Sequence, residues 1–214
     1  MGLRRSHPDL KVEEFYRPGK ERSVLVVGLP GIGGVGRLVA DWLRELTDAK
    51  LLCRIYSRYF PDQIQVTDRS YEPLSYSIYH TENVGRDLLI LTGGFQPDPT
   101  STEAPYRVAE GIVEYVQSLG CRTIVAVDGM SEQKGIAVTS NKLDVLKKLV
   151  EAGAKPFRGR IEGVAGLMLG LIRLRDESIC VGVLSGCRDV RRDEAAALRA
   201  LRFIDRILGL NLSI

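Results

Sequence analysis

Histidines, paired cysteines and long apolar runs are scarce in this sequence, and each shortage removes a class of function. Only His7 and His80 are present to shuttle a proton near neutral pH. Neither stands in a pattern that would activate a serine or cysteine nucleophile. The four cysteines, Cys53, Cys121, Cys180 and Cys187, form no Cys-x-x-Cys pair. That spacing predicts reduced thiols, three of them packed as small hydrophobes within or beside apolar runs, and neither a disulfide framework nor a metal centre. No stretch approaches the roughly 18 consecutive apolar residues of a membrane helix, and Met1 to Pro18 is charged, without the apolar centre of a secretion signal. The expectation is a cytoplasmic protein in a reducing compartment, with no membrane partner. An excess of one charge is missing too: 30 basic against 27 acidic residues leave a formal charge of +3. Without a concentrated basic stretch, nucleic acid is not the expected partner.

What remains is an ordinary globular composition, 44% hydrophobic and 27% charged over 214 residues, enough for one domain with a core that needs no covalent support. Residues 1–20 carry mixed charges and two prolines and read as an extended arm able to pair at a sheet edge; residues 21–214 read as a single α/β domain. Within it, Ser23 to Gly28, Leu88 to Thr92, Thr123 to Val127 and Ile179 to Leu184 are short, continuously apolar and rich in β-branched residues, the pattern of strands covered on both faces. Leu51 to Tyr56 reads as a further strand. Gln63 to Thr67 and Ser75 to His80 alternate polar with apolar residues, as half-exposed antiparallel strands do. Helical spacing appears over Arg37 to Thr47, Glu103 to Leu119, about Ser140 to Glu151 with a stop at Gly153, Gly163 to Leu174, and Arg191 to Leu208. The result is a three-layer domain on a mixed, largely parallel central sheet.

In such sheets ligands bind where loops leave the carboxyl ends of parallel strands. That rim gathers Gly31, Gly33, Gly34 and Gly36, then Gly93 and Gly94, and finally Asp128, Gly129 and Met130, with Ser185 and Gly186 beyond. Gly31-Ile-Gly-Gly-Val-Gly36 satisfies Gly-x-Gly-x-x-Gly between a strand and a helix, where main-chain amides favour a pyrophosphate. The ribose-binding acid expected at the end of the second strand is replaced by Ile55-Tyr56-Ser57-Arg58, and no Gly-Lys-Ser/Thr follows, which excludes a Walker loop. Ser185 lacks the Gly-x-Ser-x-Gly elbow and reads as a turn serine. Asp62, Asp98 and Asp128 read equally as cap or turn residues or as a convergent carboxylate group. The arginines from Arg188 to Arg206, interleaved with Asp189, Asp193, Glu194 and Asp205, predict a solvated, ion-paired helix face. No catalytic residue, cofactor site or metal site is assigned.

Taken together, several segments resemble a known family. Val26 to Gly36 followed by Ala40-Asp41, then Ile55-Tyr-Ser57, Tyr59-Phe-Pro61, Gln63 to Val66, Asp87 to Gly93, Gln96-Pro97, Asp128 to Met130, Gly163 to Leu174 and Ala195 to Leu210 are similar to archaeal proteins related to proteasome assembly chaperone two. The resemblance implies an α/β fold similar to nucleoside phosphorylases but without their established active site, self-association, and binding to proteasome α-type subunits. Members of this type can carry a C-terminal hydrophobic-tyrosine-any residue tail that enters pockets on the proteasome ring. Here the tail is Leu212-Ser213-Ile214, with serine in place of tyrosine, and the turn before the last helix is altered to Ser185-Gly-Cys-Arg-Asp-Val190. Phe60, Asp62, Gly166, Gly170, Leu212 and Ile214 are the interaction candidates. The alternative reading is a protein that binds, or an enzyme that transforms, a nucleoside, nucleotide or phosphate at the glycine-rich rim.

Overall fold

The apolar runs become the centre of a ten-stranded sheet in a computed structural model that describes residues 3–6, 8–19, 23–68, 70–131, 134–175 and 178–214. His7 lies outside the described residues. In chain order the elements are β1 (Leu3–Ser6), β2 (Leu10–Glu14), β3 (Val24–Gly28), α1 (Val35–Leu46), β4 (Lys50–Ser57), β5 (Ile64–Val66), β6 (Tyr71–Pro73), β7 (Tyr76–Thr81) and β8 (Leu88–Thr92). Then come α2 (Ala104–Ser118), β9 (Thr123–Met130), β10 (Ile136–Ser140), α3 (Leu143–Glu151), β11 (Lys155–Pro156), α4 (Gly163–Arg175), β12 (Ile179–Gly186) and α5 (Glu194–Leu208). The spatial order is β1-β2-β4-β7-β8-β3-β9-β12-β10-β11. Pairings from β8 through β3 and β9 to β12 are parallel; β10 and the whole β1-β2-β4-β7 wing join antiparallel.

Strand pleating sends alternate side chains to opposite faces. Leu25, Val27, Leu89, Leu91, Ile124 and Ala126 belong to one core with α2 and α4. Val24, Val26, Leu88, Ile90, Val125 and Val127 belong to the other, with α1, α3 and α5. Both faces of the central strands are therefore dry, which is why they read as unbroken apolar runs. Among the described residues no helix is long and apolar enough to cross a membrane.

Several boundaries differ from the sequence reading for identifiable reasons. The amino-terminal segment contributes β1 and β2, and Leu10 and Val12 are buried against β4, while the Tyr115 hydroxyl donates to the Glu14 carboxylate at 3.0 Å. β9 and β12 run three and two residues further than expected, since Asp128, Gly129 and Met130 pair in register with Leu184, Ser185 and Gly186; Ser185 is thus a buried strand residue, not a turn serine. Helix α5 begins at Glu194 because Asp193 caps it, accepting from the Ala196 amide at 2.8 Å, and ends on left-handed Gly209. The segment Gln63 to Thr67 does not join the main sheet: β5 pairs with β6 in a separate hairpin, with Ile64, Val66 and Tyr71 turned to solvent.

Candidate functional site

At the rim, β3 leads through α1 to β4 on the β8 side, while β9, its neighbour on the opposite side, leads onward toward β12. Adjacent strands whose connections diverge open a crevice at their carboxyl ends, the place where α/β sheets take ligands. β4 does not flank β3, since β7 and β8 lie between them, so the strand order of a dinucleotide-binding half is not formed.

The glycine loop at this crevice is filled by its own chain. Gly33 and Gly34 take φ of 64° and 60°, left-handed values that favour glycine. The Gly33 amide donates to the Val190 carbonyl at 2.7 Å, the Gly34 amide to Gly31 at 3.1 Å, and the Asp193 amide to the Gly33 carbonyl at 2.9 Å. The Val35 amide donates to the Ile32 carbonyl, and the Ile32 amide to the Asp128 carboxylate. The donors that would cradle a pyrophosphate are therefore already bonded within the protein. A Cβ at Gly33 would lie 2.6 Å from Cys187 Sγ, one at Gly129 2.1 Å from the Ile32 carbonyl oxygen, and one at Gly93 2.2 Å from the Tyr76 ring. Gly36 serves helix-to-strand contact, and Met130 is a buried core residue beside Ala137 and Leu184. Gly94 faces the Arg37 guanidinium.

Asp128 is the rim candidate with an ionisable side chain, and with Gly31 and Gly129 it lines a cavity of about 300 Å³ bounded also by Pro30, Gln96, Arg160 and Glu162. Gln96 ties its walls together, donating to the Pro30 carbonyl at 2.6 Å and accepting from the Val164 amide at 3.3 Å, which fixes the start of α4. Burial pushes the Asp128 carboxyl up to about 6; hydrogen bonds from the Gly129 and Ile32 amides oppose this, and the Glu162 charge adds to it. Among the described residues lining this cavity no serine, cysteine or histidine stands ready to be activated. Nearby, burial raises the Cys187 thiol, and Ser185 Oγ accepts from Arg199 Nε at 3.2 Å.

The Asp128 environment has a measurable consequence. A carboxyl whose folded pKa lies above its unfolded value favours the folded state most when protonated, so its contribution is full below the unfolded value near 3.8 and is lost as pH rises through about 6. Asp128→Asn keeps an acceptor for the Gly129 amide and abolishes that titration. Relative to the parent chain, the variant is expected to gain thermal stability as pH rises from 4 to 7. A melting-temperature difference independent of pH would refute the buried-acid assignment.

The interaction candidates separate sharply. Phe60 is only 7% exposed, with ring centroids 4.6 Å from Tyr76 and 4.8 Å from Phe95. It is a core side chain that presents no surface. Asp62 is exposed on the segment leading into the hairpin. A Cβ at Gly166 would strike the Ile161 carbonyl at 2.1 Å, so this glycine serves a contact within the chain, whereas Gly170 faces open space. Leu212 packs against the α1–α5 side of the core, its amide donating to Asp205 at 3.0 Å, and Ile214 lies at the groove formed by Trp42, Leu46 and Leu198. The tail thus folds back on the body.

His80, the histidine within the described residues, sits at the opposite end of the sheet from the rim. Its Nε2 is 2.6 Å from Asp87 Oδ1 and its Nδ1 3.2 Å from the Tyr16 hydroxyl. Burial pushes the Tyr16 phenol up to about 12, so it is no nucleophile at neutral pH. Of the expected ion-paired face, the pair Arg192–Glu194 at 2.9 Å lies at the turn into α5, not along it, while Asp193 caps the helix, Arg199 turns back to the Gly186 carbonyl at 2.6 Å and Arg206 donates to the Ala152 carbonyl at 3.1 Å. Sequence reasoning missed the turn 187–193 that seals the glycine loop; the Asp193 cap was its one local signal.

Comparison with known proteins bears on this arrangement. The family model described as PAC2 family matches residues 25–214. An uncharacterized protein of Methanocaldococcus jannaschii is 30% identical over 158 residues, which cover 70% of this chain and 60% of that relative's length. Among solved structures, Pyrococcus furiosus PbaB, an archaeal proteasome activator, superposes with a TM-score of 0.87 at 26% identity, covering 97% of this chain and 92% of its own. Pyrococcus furiosus PbaA, an archaeal homolog of proteasome-assembly chaperone, shares the fold with a TM-score of 0.79 at 22% identity, over 96% of this chain and 84% of its own.

Proposed function

Because this chain belongs to the PAC2 family, we propose that it is a non-enzymatic assembly chaperone or adaptor of the cytoplasm that self-associates and binds proteasome α-type subunits. The match of the family model over 25–214 carries this reading. The surface supports it: Ile64, Val66 and Tyr71 on the hairpin, and separately Leu143 of α3 and Leu174 of α4, are 59–82% exposed, large apolar side chains that suit docking more than solvent. The chemistry of the rim supports it as well. A glycine loop bonded to its own chain, and a rim carboxyl whose neighbouring Cys187 thiol is pushed up by burial, suit a scaffold better than a catalyst. Leu212 and Ile214 pack back on the body, which favours a body surface as the contact.

The test is reconstitution. The purified chain mixed with proteasome α-type subunits from the same cells is expected to co-elute with them at micromolar concentration and to speed ring formation. Light scattering of the chain alone is expected to give a mass above that of one subunit. Absence of co-elution at both low and moderate salt would remove the α-subunit partner, and a strict monomer at high concentration would remove self-association.

A further inference from the structure

Away from the sealed glycine loop, a second cavity of about 470 Å³ lies between the polar face of α1 and the inner side of the β5–β6 hairpin, over the ends of β4, β7 and β8. Its walls are mostly polar. Arg37, Arg44 and Arg54 line it, each held by one carboxylate: Asp41 and Glu72 within the lining, and Glu45, beside it on α1, on Arg44 at 2.9 Å. Arg37 Nε donates to Asp41 Oδ2 at 2.7 Å, and Asp41 in turn accepts from the Thr92 hydroxyl at 3.3 Å. Arg54 pairs with Glu72 of the hairpin, and Arg44 lies over the Tyr79 ring at 5.4 Å. A guanidinium carries five N–H donors in a planar fork, so one carboxylate oxygen per arginine leaves donors for a ligand. These side chains are about one-third to two-fifths exposed; partial removal from water strengthens their attraction for an anion.

We propose that this cleft binds a small phosphorylated polyol, a sugar phosphate. Forked guanidinium donors from two sides match the oxygens of a phosphate. The remaining lining, Gln63, Gln65, Thr67, Ser70, Ser75 and Ser77, offers hydroxyl and amide groups that both donate and accept, as sugar hydroxyls require. The volume falls in the range of small-molecule sites, and the scarcity of apolar wall excludes an apolar ligand. Because Gln63, Gln65, Thr67, Ser70 and Glu72 come from the hairpin arm while Arg37 and Arg44 come from α1, a bound molecule bridges the hairpin to the body.

Titration calorimetry with ribose 5-phosphate, inorganic phosphate and ribose tests this, with Arg37→Gln, Arg37→Lys and Arg54→Gln compared with the parent chain. Ribose 5-phosphate is expected to bind at least tenfold more tightly than phosphate, and ribose not at all. Arg37→Gln and Arg54→Gln are each expected to weaken binding tenfold or more, with Arg37→Lys intermediate. Hydrogen exchange of the unaltered chain supplies a readout independent of the variants: ribose 5-phosphate should slow exchange in 64–73 and leave the β3–β9 core unchanged. No binding of ribose 5-phosphate, equal binding of phosphate, or a bound state without slowed hairpin exchange would overturn the proposal.

Discussion

Gly36→Val is expected to lower the unfolding free energy by about 3 kcal/mol, the upper part of the range for overpacking a close contact. A Cβ at this position would stand 2.3 Å from the Val127 carbonyl oxygen and 2.9 Å from that of Leu29. Both obstacles are backbone, one within the central strand β9 and the other at the exit of β3, so no side chain can swing aside. The helix would have to lift from the sheet, and Val35, Val39 and Leu43, all fully buried, would lose contacts with it. Gly28 reinforces the same approach, since its own Cβ would meet the Gly36 carbonyl oxygen at 2.1 Å. Gly170→Ala is the matched control. It sits within α4 with nothing inside 4 Å of a new methyl group, so alanine should stabilise by about 0.5–1 kcal/mol through helix propensity alone. Urea unfolding followed by far-ultraviolet circular dichroism measures both. A Gly36→Val midpoint equal to that of the parent chain would show that α1 does not lie on β9 as described. A Gly170→Ala chain that is more stable but loses self-association would place that face of α4 in the subunit contact.

Phe60→Ala is expected to cost about 3–5 kcal/mol, the usual loss for truncating a buried phenylalanine. The ring meets Tyr76 and Phe95, themselves 5.0 Å apart between centroids, and the three form one aromatic cluster. The Tyr76 hydroxyl donates to the Phe95 carbonyl at 3.1 Å, and Gly93 lies flat on the Tyr76 ring, so the cluster fixes the exits of both β4 and β8. Ile64→Ser, four residues on, is expected to stay within about 0.5 kcal/mol of the parent chain, as exposed substitutions do. The contrast separates the two roles: a residue kept for partner contact alone would leave the denaturation midpoint in place and change only association. If Phe60→Ala unfolds with the parent chain's midpoint, the buried cluster is wrong and the residue returns to the interaction surface.

The resemblance read from scattered segments extends over the region matched by the family model, and the continuously apolar strands sit in the middle of the sheet. Those features were legible because each is local. An unbroken run such as Leu88 to Leu91 announces burial on both faces, and a glycine with positive φ, as at Gly153 or Gly209, ends its helix wherever the rest of the chain goes. The candidate site was harder. Gly31 to Gly36 carries the pattern of a phosphate loop, yet its amides meet Val190 and Asp128, partners far along the chain that no spacing rule connects to it.

The sequence by itself therefore determined the class of fold, the position of most strands and helices, and the family. Only the tertiary structure decided the strand order, the removal of β5 and β6 into their own hairpin, the burial of Phe60, and the convergence of Arg37, Arg44 and Arg54 on one cleft. The reason is physical. Periodicity reports how a residue faces its immediate surroundings, because backbone geometry repeats over two or about four residues. Which carbonyl satisfies a given amide, and which charges share a cavity, depends on segments brought together by packing from distant parts of the chain.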